Sequence, residues 1–181
     1  WAKMELWDIY DIDRVRTGRV AQRGKPASEG GLGEGEYHLV VHICVFNGRG
    51  QLLLQQRQKD KEGYPNLWDV SAAGSALAGE NSAAAASREL REELGLVHDF
   101  TKERPFLTTH FERGFDDWYF IRMEADISDL RLQPEEVQDA RWADLAEIER
   151  MLDSGEMVPY YRDLVRLWFV MKDHRGSTTH E

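Results

Sequence analysis

The chain has 181 residues, with 23 Lys and Arg against 33 Asp and Glu, a formal charge of −10 and 41% hydrophobic residues. That length and apolar content suffice for one domain with its own core and exclude global disorder, while the negative charge and the scattered Lys and Arg disfavour nucleic acid as a partner. No apolar run approaches the roughly 18 residues of a membrane helix, no signal-peptide pattern opens the sequence, and the single Cys44 excludes an internal disulfide and a cysteine-based zinc site; a cytoplasmic protein without membrane contact is expected.

In chain order, residues 5–10 (ELWDIY) and 15–21 (VRTGRVA) read as two strands joined by a turn at Asp11–Asp13. The stretch from Gly24 to Glu36 holds Pro26 and five glycines and reads as an exposed loop. Residues 37–46 (YHLVVHICVF) and 51–57 (QLLLQQR) flank Asn47-Gly48-Arg49-Gly50, the pattern of a β-hairpin. A polar stretch leads to a short strand at Leu67–Ser71, followed by a small-residue turn over 72–79. A helix is expected over 83–94, capped by Asn81 or Ser82 and closed by Gly95. Strands are expected at 105–111 and 117–124 around a turn at Gly114, and at 140–142, with helices at 145–152 and 160–171. The pattern predicts one domain over 1–172 with a polar tail over 173–181, in the α/β (α+β) class with helices on the faces of a mixed sheet.

The expected helix carries an unusual set of acids. At 100° per residue from Ala83, Glu89, Glu92 and Glu93 fall near roughly 240°, 180° and 280°, beside the apolar arc of Ala86, Leu90 and Leu94. Like charges at this spacing repel, and the C-terminal half of a helix disfavours anions. A divalent cation such as Mg²⁺ or Mn²⁺, bound by hard oxygen ligands, reverses that penalty. The alternative is a solvated acidic face paired with Arg88 and Arg91.

The surrounding residues favour the first reading. From Gly74 through Glu80 and Arg88-Glu89-Leu90-Arg91-Glu92-Glu93-Leu94-Gly95-Leu96, the sequence resembles the Nudix box, GX5EX7REUXEEXGU with U apolar, and matches every specified position. A chance match of nine positions is on the order of 10⁻⁷. The resemblance implies a Nudix-type βαβα sandwich that hydrolyses a nucleoside diphosphate linked to another moiety with Mg²⁺ or Mn²⁺. It further implies Glu89, Glu92 and Glu93 as metal ligands, one of them accepting a proton from the attacking water. Arg88 would orient these carboxylates, Glu80 would support the turn into the helix, and the backbone carbonyl of Gly74 would complete the coordination.

Outside the box, the segments 37–46, 52–57 and 64–69 look like the branch that contains isopentenyl-diphosphate isomerases. The isomerases' catalytic Cys and metal-binding His correspond here to Ala73 and Ser75, which argues for a hydrolase instead. Cys44 reads as a core residue. By the same resemblance His38 lines the substrate pocket, with His42 on the same strand face, and Arg57 reaches a substrate phosphate. Candidates for a further acid are Glu112, Asp116, Asp117, Glu135 and Glu136, with the segment 114–117 favoured; Trp68, Phe111, Trp118 and Tyr119 are candidates for stacking on a base. The reading is a metal-dependent hydrolase of a small-molecule diphosphate, with an isomerase-like enzyme or a non-catalytic Nudix-like ligand sensor as alternatives. Oligomeric state stays open, a dimer included.

Overall fold

The computed structural model describes residues 4–179; the remaining terminal residues of the expected domain and tail lie outside them. The N-terminal strands β1 (Leu6–Tyr10) and β2 (Arg16–Gln22) form a separate antiparallel ribbon. A mixed sheet follows, built from β3 (His38–Phe46), β4 (Leu52–Arg57), β5 (Trp68–Asp69), β6 (Ala72–Ser75), β7 (Leu107–Phe111), β8 (Gly114–Arg122) and β9 (Val137–Ala143). Its path runs β5-β4-β3-β8-β7, with β6 added to β3 and β9 to β4. The helices are α1 (Ser82–Leu94), α2 (Leu145–Ser154) and α3 (Arg162–Met171). None of the described helices is long and apolar enough to cross a membrane.

The two-residue period of β3 divides the interior in two. Leu39, Val41, Ile43 and Val45 pack with Leu90 and Leu94 of α1 and with Phe115 and Tyr119 of β8. Cys44 and Phe46 face the other way, among Trp118, Phe120, Ile148 and Trp168 under α2 and α3. The sheet is thus a middle layer with α1 on one face and α2 and α3 on the other, a mixed sheet flanked by helices as expected.

The hairpin expected between β3 and β4 exists only at its turn. Asn47 closes it by accepting from the amides of Arg49 and Gln51 through Oδ1, and the pairing consists of Phe46 with Leu52. Beyond that pair the strands part. Ser71 fills the split: its Oγ donates to the carbonyl of Leu53 at 2.6 Å and accepts from the amide of Val45 at 2.8 Å. β3 then takes β6 on this side, while β4 takes β5.

Two turn expectations are corrected. Residues 72–75, read as a small-residue turn, form strand β6, because Ala72, Ala73, Gly74 and Ser75 pair with Ile43 to Val40; a short run of small residues lacks the bulk that marks a strand in sequence. Gly114 begins β8 rather than turning the chain, and a Cβ there would overlap the carbonyl of His38 and the ring of Phe111. The strand expected at 140–142 extends to Val137–Ala143, and the last helix starts at Arg162, leaving Tyr160 in the preceding loop.

Candidate active site

Helix α1 is well terminated: Asn81 Oδ1 accepts from the Ala84 amide at 2.9 Å, and Gly95, at φ 72°, donates its amide to Arg91. Its buried stripe includes two acids, Glu89 and Glu93, alongside Ala85, Ala86, Leu90 and Leu94. The helix therefore presses carboxylates into the seam between itself and the sheet.

Glu93 lies at the outer edge of β6. Its Oε2 accepts from Gln55 Nε2 at 2.6 Å and from the Ala73 amide at 3.1 Å. Both donors are neutral, so burial and the neighbouring charge of Glu89 push the Glu93 carboxyl well above the usual range. Glu89 stands beside Gly74, where a Cβ would overlap its Oε1. Burial pushes its carboxyl up to about 7, against the opposing pull of Arg88.

Arg88 organises the outer part. Its Nε and Nη2 grip Glu80 at 2.8 and 3.0 Å, Nη2 also donates to the Ser75 carbonyl, and Nη1 reaches Glu89 at 2.7 Å and Glu92 at 3.1 Å. Burial works against both charges of the Arg88–Glu80 pair, yet the pair holds Arg88 above and Glu80 below its ordinary pKa. Glu80 Oε2 accepts from the Leu77 amide as well, which fixes the turn into α1. Glu92 is exposed at the rim. The structure thus gathers Gly74, Glu80, Arg88, Glu89 and Glu92 into one network, with Glu93 on the same helix held separately by Gln55. Among the described residues no three acidic, His or Cys side chains converge tightly enough to hold a metal ion in this arrangement.

The donor set still fits a hard divalent cation. All three side chains offer carboxylate oxygens, two are buried with raised pKa values, and the bare Cα of Gly74 lets the Glu89 carboxylate sit against β6.

The other expected residues lie elsewhere. Arg57 donates through Nε to the Gly63 carbonyl at 3.0 Å and through Nη1 to Asp69 at 3.2 Å. His38, at the start of β3, stacks on Trp7 with ring centroids 4.0 Å apart. His42 lies on the same strand face, stacked on Trp118, with Nδ1 3.6 Å from Asp116. Asp116 and Asp117 point to opposite faces of β8. Asp117 is fully buried and receives Arg14, Ser82 Oγ and Thr108 Oγ1. Glu136 pairs with Lys61, whereas Glu112 and Glu135 are exposed. Of the aromatic candidates, Trp118 and Tyr119 are core, Trp68 lies under Arg141, and Phe111 packs edge-on against His38.

Sequence reasoning missed Gln55 and Tyr160. Gln55 follows Leu53 at the two-residue period, so a polar side chain occupies a core-facing position, a signal present in the pattern LLLQQR. Tyr160, whose hydroxyl donates to Asp69 Oδ1 at 2.6 Å, had no local signal.

Comparison with known proteins gives concordant matches. A family model described as NUDIX domain matches residues 36–165. An uncharacterised Nudix hydrolase of Listeria monocytogenes is 52% identical over 158 residues, covering 87% of this chain and 90% of its own. An isopentenyl-diphosphate Delta-isomerase of Escherichia coli is 31% identical over 124 residues, covering 65% and 67%. A crystal structure from Deinococcus radiodurans superposes with a TM-score of 0.72 at 27% identity, covering 90% of this chain and 98% of that one.

Proposed function

The chain belongs to the Nudix hydrolase family and is a hydrolase; on that premise we propose that it cleaves the diphosphate linkage of a small molecule, a nucleoside di- or triphosphate or a nucleoside diphosphate derivative, with Mg²⁺ or Mn²⁺. Glu89, Glu92 and Glu93 hold the metal in this reading, with the Gly74 carbonyl beside them. The observation that carries it is Glu93: a buried carboxylate next to a second buried carboxylate, met by neutral donors. An arrangement this unfavourable persists when a bound cation offsets it.

The metal, when bound, neutralises charge developing on the phosphate oxygens and lowers the pKa of water. Arg88 sets the rotamers of Glu89 and Glu92, and Glu80 anchors Arg88. Loading the site requires Arg88 Nη1 to yield its contacts with those two acids while its grip on Glu80 remains. One of the box carboxylates takes the proton of the attacking water; the new O–P bond forms as the bridging P–O bond breaks.

Hydrolysis is favoured over isomerisation because Ala73 offers no proton donor and Cys44 is fully buried on β3 among the residues under α2 and α3. Arg57 and His38 are assigned to substrate binding, with Arg57 preset by Asp69 and Gly63. Cytoplasmic conditions suit a chain whose lone thiol is buried. The test is a panel of nucleoside di- and triphosphates, dinucleoside polyphosphates and nucleotide sugars with Mg²⁺ or Mn²⁺. Turnover that chelator abolishes and metal restores is expected; absence of turnover on the whole panel, or isomerisation of isopentenyl diphosphate without phosphate release, contradicts the reading.

A further inference from the structure

A cavity of about 310 Å³ lies between the N-terminal ribbon, the Gly-rich loop and the start of β3, lined among others by Trp7, Gln22, Lys25, His38 and Arg113. Three observations set it apart. In a chain of charge −10, none of its lining residues is acidic, and two are cationic. Both cations are exposed and lightly engaged: Lys25 Nζ lies 3.5 Å from Glu29, and Arg113 donates Nη1 to the Gly33 carbonyl at 2.9 Å. Two ring nitrogens of lining residues, Trp7 Nε1 and His38 Nδ1, are buried without a hydrogen-bond partner, although His38 is only 7% exposed. Buried polar atoms are rarely left so.

We propose that this cavity is a binding site for a phosphomonoester and, resting on the hydrolase reading above, that it holds a phosphate carried by the moiety attached to the scissile diphosphate. A guanidinium and an ammonium among the lining groups suit a phosphate, with Arg113 able to offer a bidentate pair and Lys25 a point charge. Burial and the nearby charge of Arg23 keep His38 neutral, so it serves as a hydrogen-bonding group rather than a third cation. Along β3, His38 stands two and three residues from Val40 and Val41, which pair with Ser75 and Gly74 of β6. That is about 7–10 Å along β3 at the rise of a strand, so the cavity and Gly74 lie at the same end of that strand. The preferred substrates are therefore diphosphates with an additional phosphate on the attached moiety.

The test titrates chelator-treated protein with ribose 5-phosphate, with ribose as control, following tryptophan fluorescence and heat. Saturable binding of ribose 5-phosphate but not ribose is expected. Lys25→Gln and Arg113→Gln, both at exposed positions, should each weaken it about tenfold or more, whereas Glu93→Gln should leave it unchanged. In turnover assays ribose 5-phosphate should raise KM without changing kcat. No saturable binding, binding indifferent to both substitutions, or an unchanged KM overturns the proposal. Failure of the hydrolase reading shows separately, as absence of turnover on the whole substrate panel while ribose 5-phosphate still binds.

Discussion

The carboxylate of Glu89 occupies the space that a side chain at position 74 would fill, so strand β6 and helix α1 approach each other only because residue 74 is glycine. Gly74→Ala should push the Glu89 carboxylate out of the seam and displace Arg88 with it. We expect a loss of about 1–3 kcal/mol of stability and a fall in kcat of roughly 10–100-fold, with the far-UV spectrum retained. Wild-type kinetics in Gly74→Ala would show that Glu89 does not need its present position.

Ser71 bridges β3 and β4 where the two strands have parted, accepting from the Val45 amide and donating to the Leu53 carbonyl in a fully buried place. Ser71→Ala leaves both backbone groups without that partner. The expected destabilisation is about 1–3 kcal/mol, read from the urea midpoint, and Ser71→Thr should recover less than half of it because the added methyl must enter a filled core.

Asp117 ties Arg14 of the ribbon and Thr108 of β7 to Ser82 at the first turn of α1. This buried carboxylate is a structural hub, and Asp117→Ala should cost about 3 kcal/mol. Loss of stability smaller than 1 kcal/mol in equilibrium unfolding would contradict that role.

Burial, aided by the charge of Arg23, lowers the pKa of His38 to about 4. The unfolded chain, with His near 6.5, binds more protons between these values, so the contribution is fully present above pH 6.5 and is lost as pH falls toward 4. The loss attributable to His38 should reach about 2.5 kcal/mol at pH 4.5. Unfolding of the wild type and of His38→Leu at pH 7 and 4.5 measures it: the wild type should lose more stability on acidification than the variant, and equal losses would contradict the assignment.

Helix α1 was legible because several local signals agree, from the Asn81 cap through the apolar stripe to Gly95. The acids of α1 stand out in sequence because their positions defy both the dipole and mutual repulsion, but a solvated acidic face fits that pattern equally well, and it is the match to the Nudix box around them that marks them as candidate metal ligands. Strand β6 was not, since its pairing with β3 is nonlocal and its residues are small. The Asn47-Gly48 turn told correctly where β3 ends, but a local signal carries no information about Ser71, which lies 26 residues from Val45 and 18 from Leu53 in the chain and parts the two strands. Arg57 reads in sequence as free to reach substrate; its partners are Asp69 of β5 and Gly63 of the preceding loop, whose path depends on left-handed backbone at Tyr64 and Asn66. Asp116 and Asp117 formed one candidate in sequence and two different environments in space, because neighbouring strand residues face opposite layers.

Glu93→Gln tests the central claim most directly. The substitution keeps the shape of the buried side chain and removes its charge, so folding and the spectrum should survive while metal-dependent turnover on the best substrate of the panel falls by roughly 10²–10³-fold and metal affinity weakens. Turnover and metal dependence equal to the wild type would contradict the assignment of Glu93, and with it the reading of the α1 carboxylates as the metal-binding centre of this hydrolase.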